Sequence, residues 1–194
     1  MDSKRSTGKL TMKKILIIIL LFIGYNSFSQ NIFVCTNGEV TFFSKGPIED
    51  IEATSKSMNS ILNISTGEIV FVVPMTTFNF RKALMQEHFN EKYVESDKYP
   101  KGTYKGKINE KIDYSKNGEY DITSTGILNI HNVDKEHAEK GKLVIKDGAI
   151  SIKSEFNVAV ADHKIEIPKL LIDNIADTVK VTFSANYIPF KKDK

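Results

Sequence analysis

The sequence predicts a mainly β protein, an antiparallel closed barrel of about eight strands with one inserted α-helix at about residues 81–94. Three observations carry this. Apolar residues recur with period two along most of the chain, the signature of strands with one face buried. Turn signals such as Asn117-Gly118 and Asp147-Gly148 punctuate those runs and read as hairpin connections. Only between Phe78 and Tyr104 does the period become helical, with Arg81, Leu84, Met85, His88, Phe89 and Tyr93 at steps of three and four. Serial hairpins leave open strand edges unless the sheet closes on itself, and closure into a barrel removes them.

Residues 1–29 read as an N-terminal extension and secretory signal peptide. Lys13-Lys14 precede an unbroken apolar run from Ile15 to Ile23, and the small residues Ser27 and Ser29 follow, which places cleavage before Gln30. A membrane-spanning helix needs about 20 apolar residues, so the mature chain is expected to carry no transmembrane anchor and to be periplasmic or secreted. Met12, directly before the lysines, offers a second start beside Met1. The full chain has a net charge of +3, but five of its 27 basic and one of its 24 acidic residues lie in this segment. That leaves 22 basic against 23 acidic side chains, a net charge of −1. No basic face remains to neutralise phosphates, and nucleic acid is not an expected partner.

Residues 30–190 read as one domain, and 191–194 as a solvated basic tail. Cys35 is the single cysteine, which excludes an intrachain disulfide. Phe33-Val34 before it are too large for a lipidation site, so it reads as a buried thiol of the first strand. Glu39 to Ser44 forms a short strand ended by Gly46-Pro47, and Ile48 to Ser65 holds one long bent strand or two shorter ones. Thr66-Gly67 turns the chain into Glu68–Met75. There Ile69, Phe71, Val73 and Met75 make one apolar face and Val70 and Val72 a second, so both sides need cover. The helix that follows is the expected cover for this strand. Pro100 and Gly102 end the helical stretch. Alternation then resumes with Tyr104, Gly106 and Ile108, and continues from Tyr120 to Ile130 after the Asn117-Gly118 turn. It passes through Lys142–Lys146 and Ile150–Val160, and ends with Val179, Val181, Phe183, Ala185 and Tyr187 on one face. Ile165, Ile167, Leu170 and Leu171 mark a less regular strand and an apolar loop between the last two runs.

Within the helical stretch, His88-Phe89, Tyr93-Val94-Glu95, Tyr99-Pro100 and Tyr104 resemble the His-Leu, Phe-Phe-Asp, Tyr-Pro and Phe series of the YceI-like family, with one residue of adjustment between the first two groups. Gly126-Ile127-Leu128-Asn129-Ile130-His131-Asn132-Val133 is similar to that family's Gly-x-Leu-x-Ile-x-Gly-Val segment, and the likeness spans roughly residues 31–187. Met85-Gln86 stand where the family has Arg-Asp. The resemblance implies a lipocalin-like barrel that binds polyisoprenoid lipids.

The residues themselves point to a hydrophobic guest. Strand positions Phe71, Val73, Phe156, Val158, Val181 and Phe183 face the interior, with few ionisable groups among them. Phe78, Phe80, Leu84, His88 and Phe89 of the helical stretch complete the candidate ligand contacts. No protein cofactor is expected beyond a bound isoprenoid lipid, and the oligomeric state is compatible with a homodimer. Catalysis has little support. The four histidines show no metal-ligand spacing, and no nucleophile elbow or phosphate-binding glycine loop is present. Lys82, Lys92 and Lys98 suit a lipid diphosphate at a barrel mouth, or simply solvent. The expected function is an exported, non-enzymatic lipid-binding protein. The alternative is an exported interaction or stress-response module whose barrel core is solid.

Overall fold

The computed structural model describes residues 31–46, 49–167 and 176–191. The expected signal segment, Leu170 and Leu171, and all but the first residue of the basic tail lie outside these. In chain order the strands are β1 (Ile32–Ser44), β2 (Ile51–Asn63), β3 (Glu68–Pro74), β4 (Asn79–Phe80), β5 (Lys101–Ile108), β6 (Gly118–Ile130), β7 (Val133–Lys146), β8 (Ala149–Ala159) and β9 (Thr178–Pro189). Eight of them form a closed wall in the order β1-β9-β8-β7-β6-β5-β3-β2, and pairing of β1 with β2 completes the ring. All pairings are antiparallel. The two-residue β4 adds to the start of β2 through Ala53↔Phe80 and Thr54↔Asn79.

The period-two pattern is realised as lumen-facing and solvent-facing sides. Ile122 and Leu128 on β6, Leu143 and Ile145 on β7, Ile150 and Ile152 on β8, and Ala185 and Tyr187 on β9 are buried. Their polar neighbours face water. Asp147 and Gly148, with φ of 52° and 81°, make the tight β7–β8 hairpin that their sequence predicts. The sequence leaves open one strand or two before Thr66-Gly67; β2 is a single strand of 13 residues.

Several boundaries differ from expectation. β1 starts at Ile32, not Glu39, because a register shift around Gly38 lets the strand continue through an irregularity. A Cβ at Gly38 would stand 2.3 Å from the terminal methyl of Met58, so only glycine leaves Met58 its place. Asn117-Gly118 is not a hairpin turn. β5 ends at Ile108 and β6 begins at Gly118, so Asn117 closes a longer loop. Its amide exchanges hydrogen bonds with Asp147, Nδ2 donating to Oδ1 at 3.1 Å and Oδ1 accepting from the Asp147 backbone N–H at 2.9 Å. β7 begins at Val133 rather than Lys142. The β6–β7 turn falls at His131-Asn132, both in the left-handed region with φ of 53° and 57°.

The helical stretch is shorter than predicted. Helix α1 spans Ala83–His88 and widens into a π-turn at Phe89–Tyr93, where the Val94 N–H reaches back to the Phe89 carbonyl at 2.9 Å. Lys82 at the N-cap is extended, with φ −121° and ψ 131°, and gives no side-chain cap, which delays the start. Arg81 therefore lies outside the helix and is exposed. The helix does not cover the outer face of β3 as expected; its Phe89 docks inward on Phe42, Phe78 and Phe80. Val70 and Val72 are half-covered from the sheet itself, by their register neighbours Ile61 and Lys105, and Asn59 and Thr103.

The two ends of the barrel differ. The end holding the β7–β8 hairpin is packed around Leu62, Leu143 and Tyr187, each at most 1% exposed. The Tyr187 hydroxyl is 2.7 Å from Ser60 Oγ, so this buried polar group is paired. The other end carries α1 and is hollow.

Candidate ligand-binding site

The hollow end encloses a cavity of about 600 Å³, within the roughly 300–1,000 Å³ usual for small-molecule sites. Its walls come from the lumen faces of β1, β3, β5, β6, β7, β8 and β9, and its cover from the segment between β3 and β5. Four phenylalanines build that cover. The Phe42 ring stacks on Phe89 with centroids 5.4 Å apart and meets Phe78 and Phe80 at 5.4 and 5.7 Å. Phe80 and Phe89 lie 5.0 Å apart. Such pairs add about 0.5–1.5 kcal/mol each to the burial of the rings, enough to seat a short helix with no cap of its own. The π-turn matters here because the extra residue per turn brings Phe89, Tyr93 and Val94 all to the cavity side.

All eleven predicted contact residues line this cavity. Phe71, Val73, Phe156, Val158, Val181 and Phe183 stand on its walls, and Phe78, Phe80, Leu84, His88 and Phe89 belong to its cover. Leu84 is 60% exposed, which makes it part of the rim. His88 shows no side-chain hydrogen bond among the described residues. Lys82 also lines the rim, and its ammonium is held by Glu49. Lys98 is held by Glu95, and Lys92 is exposed.

Two polar features inside the barrel escape the sequence reading. The Tyr104 hydroxyl pairs with Ser124 Oγ at 2.7 Å, and burial pushes the phenol above its ordinary range. Its ring lies over Gly106, where a Cβ would come within 2.4 Å of the hydroxyl. Beside it on β7, His137 Nδ1 lies 2.9 Å from Glu139 Oε1, and the imidazole meets the Phe156 ring edge-on at 5.4 Å. Burial raises the Glu139 carboxyl above the usual carboxylate range, against the pull of His137. The expectation of few ionisable groups in the interior is corrected by this pair. Alternation carried back from Ile145 and Leu143 through Gly141 reaches Glu139 and His137 only because β7 runs unbroken to Val133.

A third polar group holds the cover in place. His131 Nε2 donates to Glu95 Oε2 at 3.0 Å and its Nδ1 lies 3.2 Å from the His163 carbonyl, while His163 Nδ1 donates to the Val133 carbonyl at 3.2 Å. Tyr99 packs edge-on against the His131 ring at 4.4 Å. These histidines tie the segment after the helix to the β6–β7 turn. Among the described residues, no cluster of three or more His, Cys, Asp or Glu side chains is placed to hold a metal ion. Cys35 is buried and unoxidised in β1. No helix among the described residues is long and apolar enough to cross a membrane.

The general class is a closed antiparallel β-barrel with an apolar internal cavity and a helical cover. Residues 30–187 match the model of the YceI-like domain, and the chain belongs to the YceI-like family. Among solved structures, it is similar to a polyisoprenoid binding domain from Saccharophagus degradans implicated in plant cell wall breakdown. That pair has 15% identity and a TM-score of 0.71 over 82% of this chain and 99% of the other. Burkholderia cenocepacia BcnA is similar at 12% identity and TM-score 0.65, over 78% and 96% of the two chains. The Campylobacter jejuni YCEI protein is similar at 17% identity and TM-score 0.56, over 71% and 84%. No curated protein sequence matches this chain.

Proposed function

We propose that this protein is an exported, non-catalytic carrier that holds the hydrocarbon part of an amphiphilic isoprenoid-like lipid inside its barrel. The observation that carries the reading is the apolar cavity of about 600 Å³ between the phenylalanine cover and the packed barrel end. Emptying such a volume of water and filling it with a chain gains roughly 25 cal/mol for each Å² of apolar surface removed from solvent. The same observation favours a hollow barrel over the solid interaction module. The Saccharophagus degradans neighbour is described as a polyisoprenoid binding domain, which supports the choice of ligand class. Export is supported by the pattern from Lys13 to Ser29, whose cleavage leaves Gln30 at the N-terminus.

Native mass spectrometry of protein purified from its own host, with an organic extract analysed in parallel, tests both parts. A stoichiometric prenyl lipid and a chain beginning at or beside Gln30 are expected. Protein that is repeatedly empty and shows no affinity for prenyl chains would sink the carrier. Intact cytoplasmic chain starting at Met1 or Met12 would overturn export alone.

A further inference from the structure

The barrel wall parts between β7 and β8. β7 and β8 pair only from Gly141↔Ser154 to Lys146↔Ala149. Beyond that point Val133–Lys140 of β7 pair with β6 alone, and Glu155–Ala159 of β8 with β9 alone. The far end of this seam is bridged by the short helical turn Val160–His163, through His163 on the Val133 carbonyl and Lys135 on Asp162 at 3.6 Å. The near end is bridged by Ser154 Oγ, which donates to the Lys140 carbonyl at 2.6 Å. Between these two ties the wall is made of side chains, His137 against Phe156. The internal cavity and a shallow groove on the outer surface share Lys140, Gly141 and Ser154, so inside and outside meet where the strands part.

Resting on the carrier reading above, we propose that the β7–β8 seam seats the polar end of the bound lipid on His137 and Glu139, and that this end is an uncharged hydroxyl or carbonyl group rather than a phosphate. His137 Nδ1 is engaged by Glu139, and its Nε2 has no partner among the described residues. That leaves one hydrogen-bonding position at the edge of an otherwise apolar lumen, where a polar lipid end would otherwise lie unsatisfied. Charge decides the chemistry of the end. Glu139 places a carboxylate beside the position, and the neighbouring Lys135 is held by Asp162. Lys140 and Lys153 occupy solvent-facing positions of their strands. A diphosphate would meet the carboxylate, while the two lysines that border the cavity are turned elsewhere, Lys82 to Glu49 and Lys140 to solvent; a hydroxyl or carbonyl meets no such cost.

Equilibrium dialysis with farnesol, farnesyl diphosphate and the headless hydrocarbon farnesane separates the contributions of chain and head. Wild-type protein should hold farnesol about tenfold more tightly than farnesyl diphosphate, and more tightly than farnesane. His137→Leu should lose about five- to tenfold for farnesol and leave farnesane unchanged, since one hydrogen bond is removed and the cavity kept. Glu139→Gln should narrow the preference over farnesyl diphosphate, again with farnesane unchanged. Farnesane retention reports that each variant is folded and hollow; if His137→Leu fails that check, the near-isosteric Glu139→Gln decides. Farnesol and farnesane moving together, or an unaltered preference in the folded variants, would overturn the seat while leaving the carrier standing. Wild-type protein that binds none of the three would overturn both.

Discussion

The rings of Phe71 on β3 and Phe183 on β9 meet across the lumen with centroids 4.7 Å apart, although β2 and β1 separate their strands in the wall. Tyr104 packs on the same Phe71 ring at 5.9 Å. These rings form a waist. On one side lies the packed core around Tyr187 and Leu62, and on the other the main part of the cavity under the helix, which reaches past the rings to Ile69, Ile108 and Ile152.

Replacing Phe183 with alanine should therefore widen the lumen at this narrow point and ease passage of a chain beyond it. Because the ring is only half-buried, the cost should stay nearer 2–3 kcal/mol than the ~3–5 kcal/mol of a fully packed phenylalanine. Urea unfolding should show a lower midpoint with an unchanged slope. Longer prenyl chains should bind the variant better than the wild type relative to short ones, measured by the same dialysis.

Phe89 contacts Phe42, Phe78 and Phe80 and anchors the cover. Phe89→Ala should lower stability by about 2–3 kcal/mol and speed release of a bound chain. Lys92→Ala, on the exposed side of the same turn, should stay within about 0.5 kcal/mol of wild type. Chemical denaturation and stopped-flow release of a prenyl probe compare the two. Equal release rates would show that the helix does not retain the ligand.

The buried Tyr187–Ser60 hydroxyl pair predicts non-additive substitutions. Tyr187→Phe leaves Ser60 without its partner and Ser60→Ala leaves Tyr187 without its own, each costing about 1–3 kcal/mol. The double variant should cost less than the sum, because no orphaned hydroxyl remains. A double-mutant cycle by urea unfolding should give a coupling of about 1 kcal/mol.

Stability should fall as the protein is acidified below neutrality. His163 is only 1% exposed, and burial holds its imidazole below the ordinary value of 6.5 in the folded state. The unfolded chain therefore takes up the proton first. The stability this neutral histidine contributes is fully present above pH 6.5 and declines as the pH drops toward the folded value. One such group gives a slope of at most ~1.4 kcal/mol per pH unit. At lower pH, Glu95 adds to the loss in the same direction, since Lys98 and His131 lower its carboxyl and its contribution disappears as it is protonated. Thermal unfolding from pH 7.5 to 5 should show the decline, and His163→Gln should flatten its upper part.

Local periodicity by itself determined that this chain is a mainly β barrel with one helix, and which side of most strands faces the lumen. Phe71, Phe156, Val158, Val181 and Phe183 were legible as interior residues because a strand's side-chain period is two and the alternating positions are strongly apolar. The hairpin at Asp147-Gly148 was legible because its positive φ values call for those residue types. Only the tertiary structure decided the rest. His131-Asn132 turns the chain without a glycine because His131 is held from outside the turn, by Glu95 and the His163 carbonyl. His137 and Glu139 look like surface residues in sequence, and they face inward because β7 runs on from Leu143 without a change of register. The helix covers the barrel mouth rather than β3, since its partners Phe42, Phe78 and Phe80 are brought together by the pairing of β4 with β2. Whether the lumen is filled or hollow depends on how far apart closure holds facing walls, which no local pattern encodes. Here Phe71 and Phe183 touch, while the walls around them leave about 600 Å³ open.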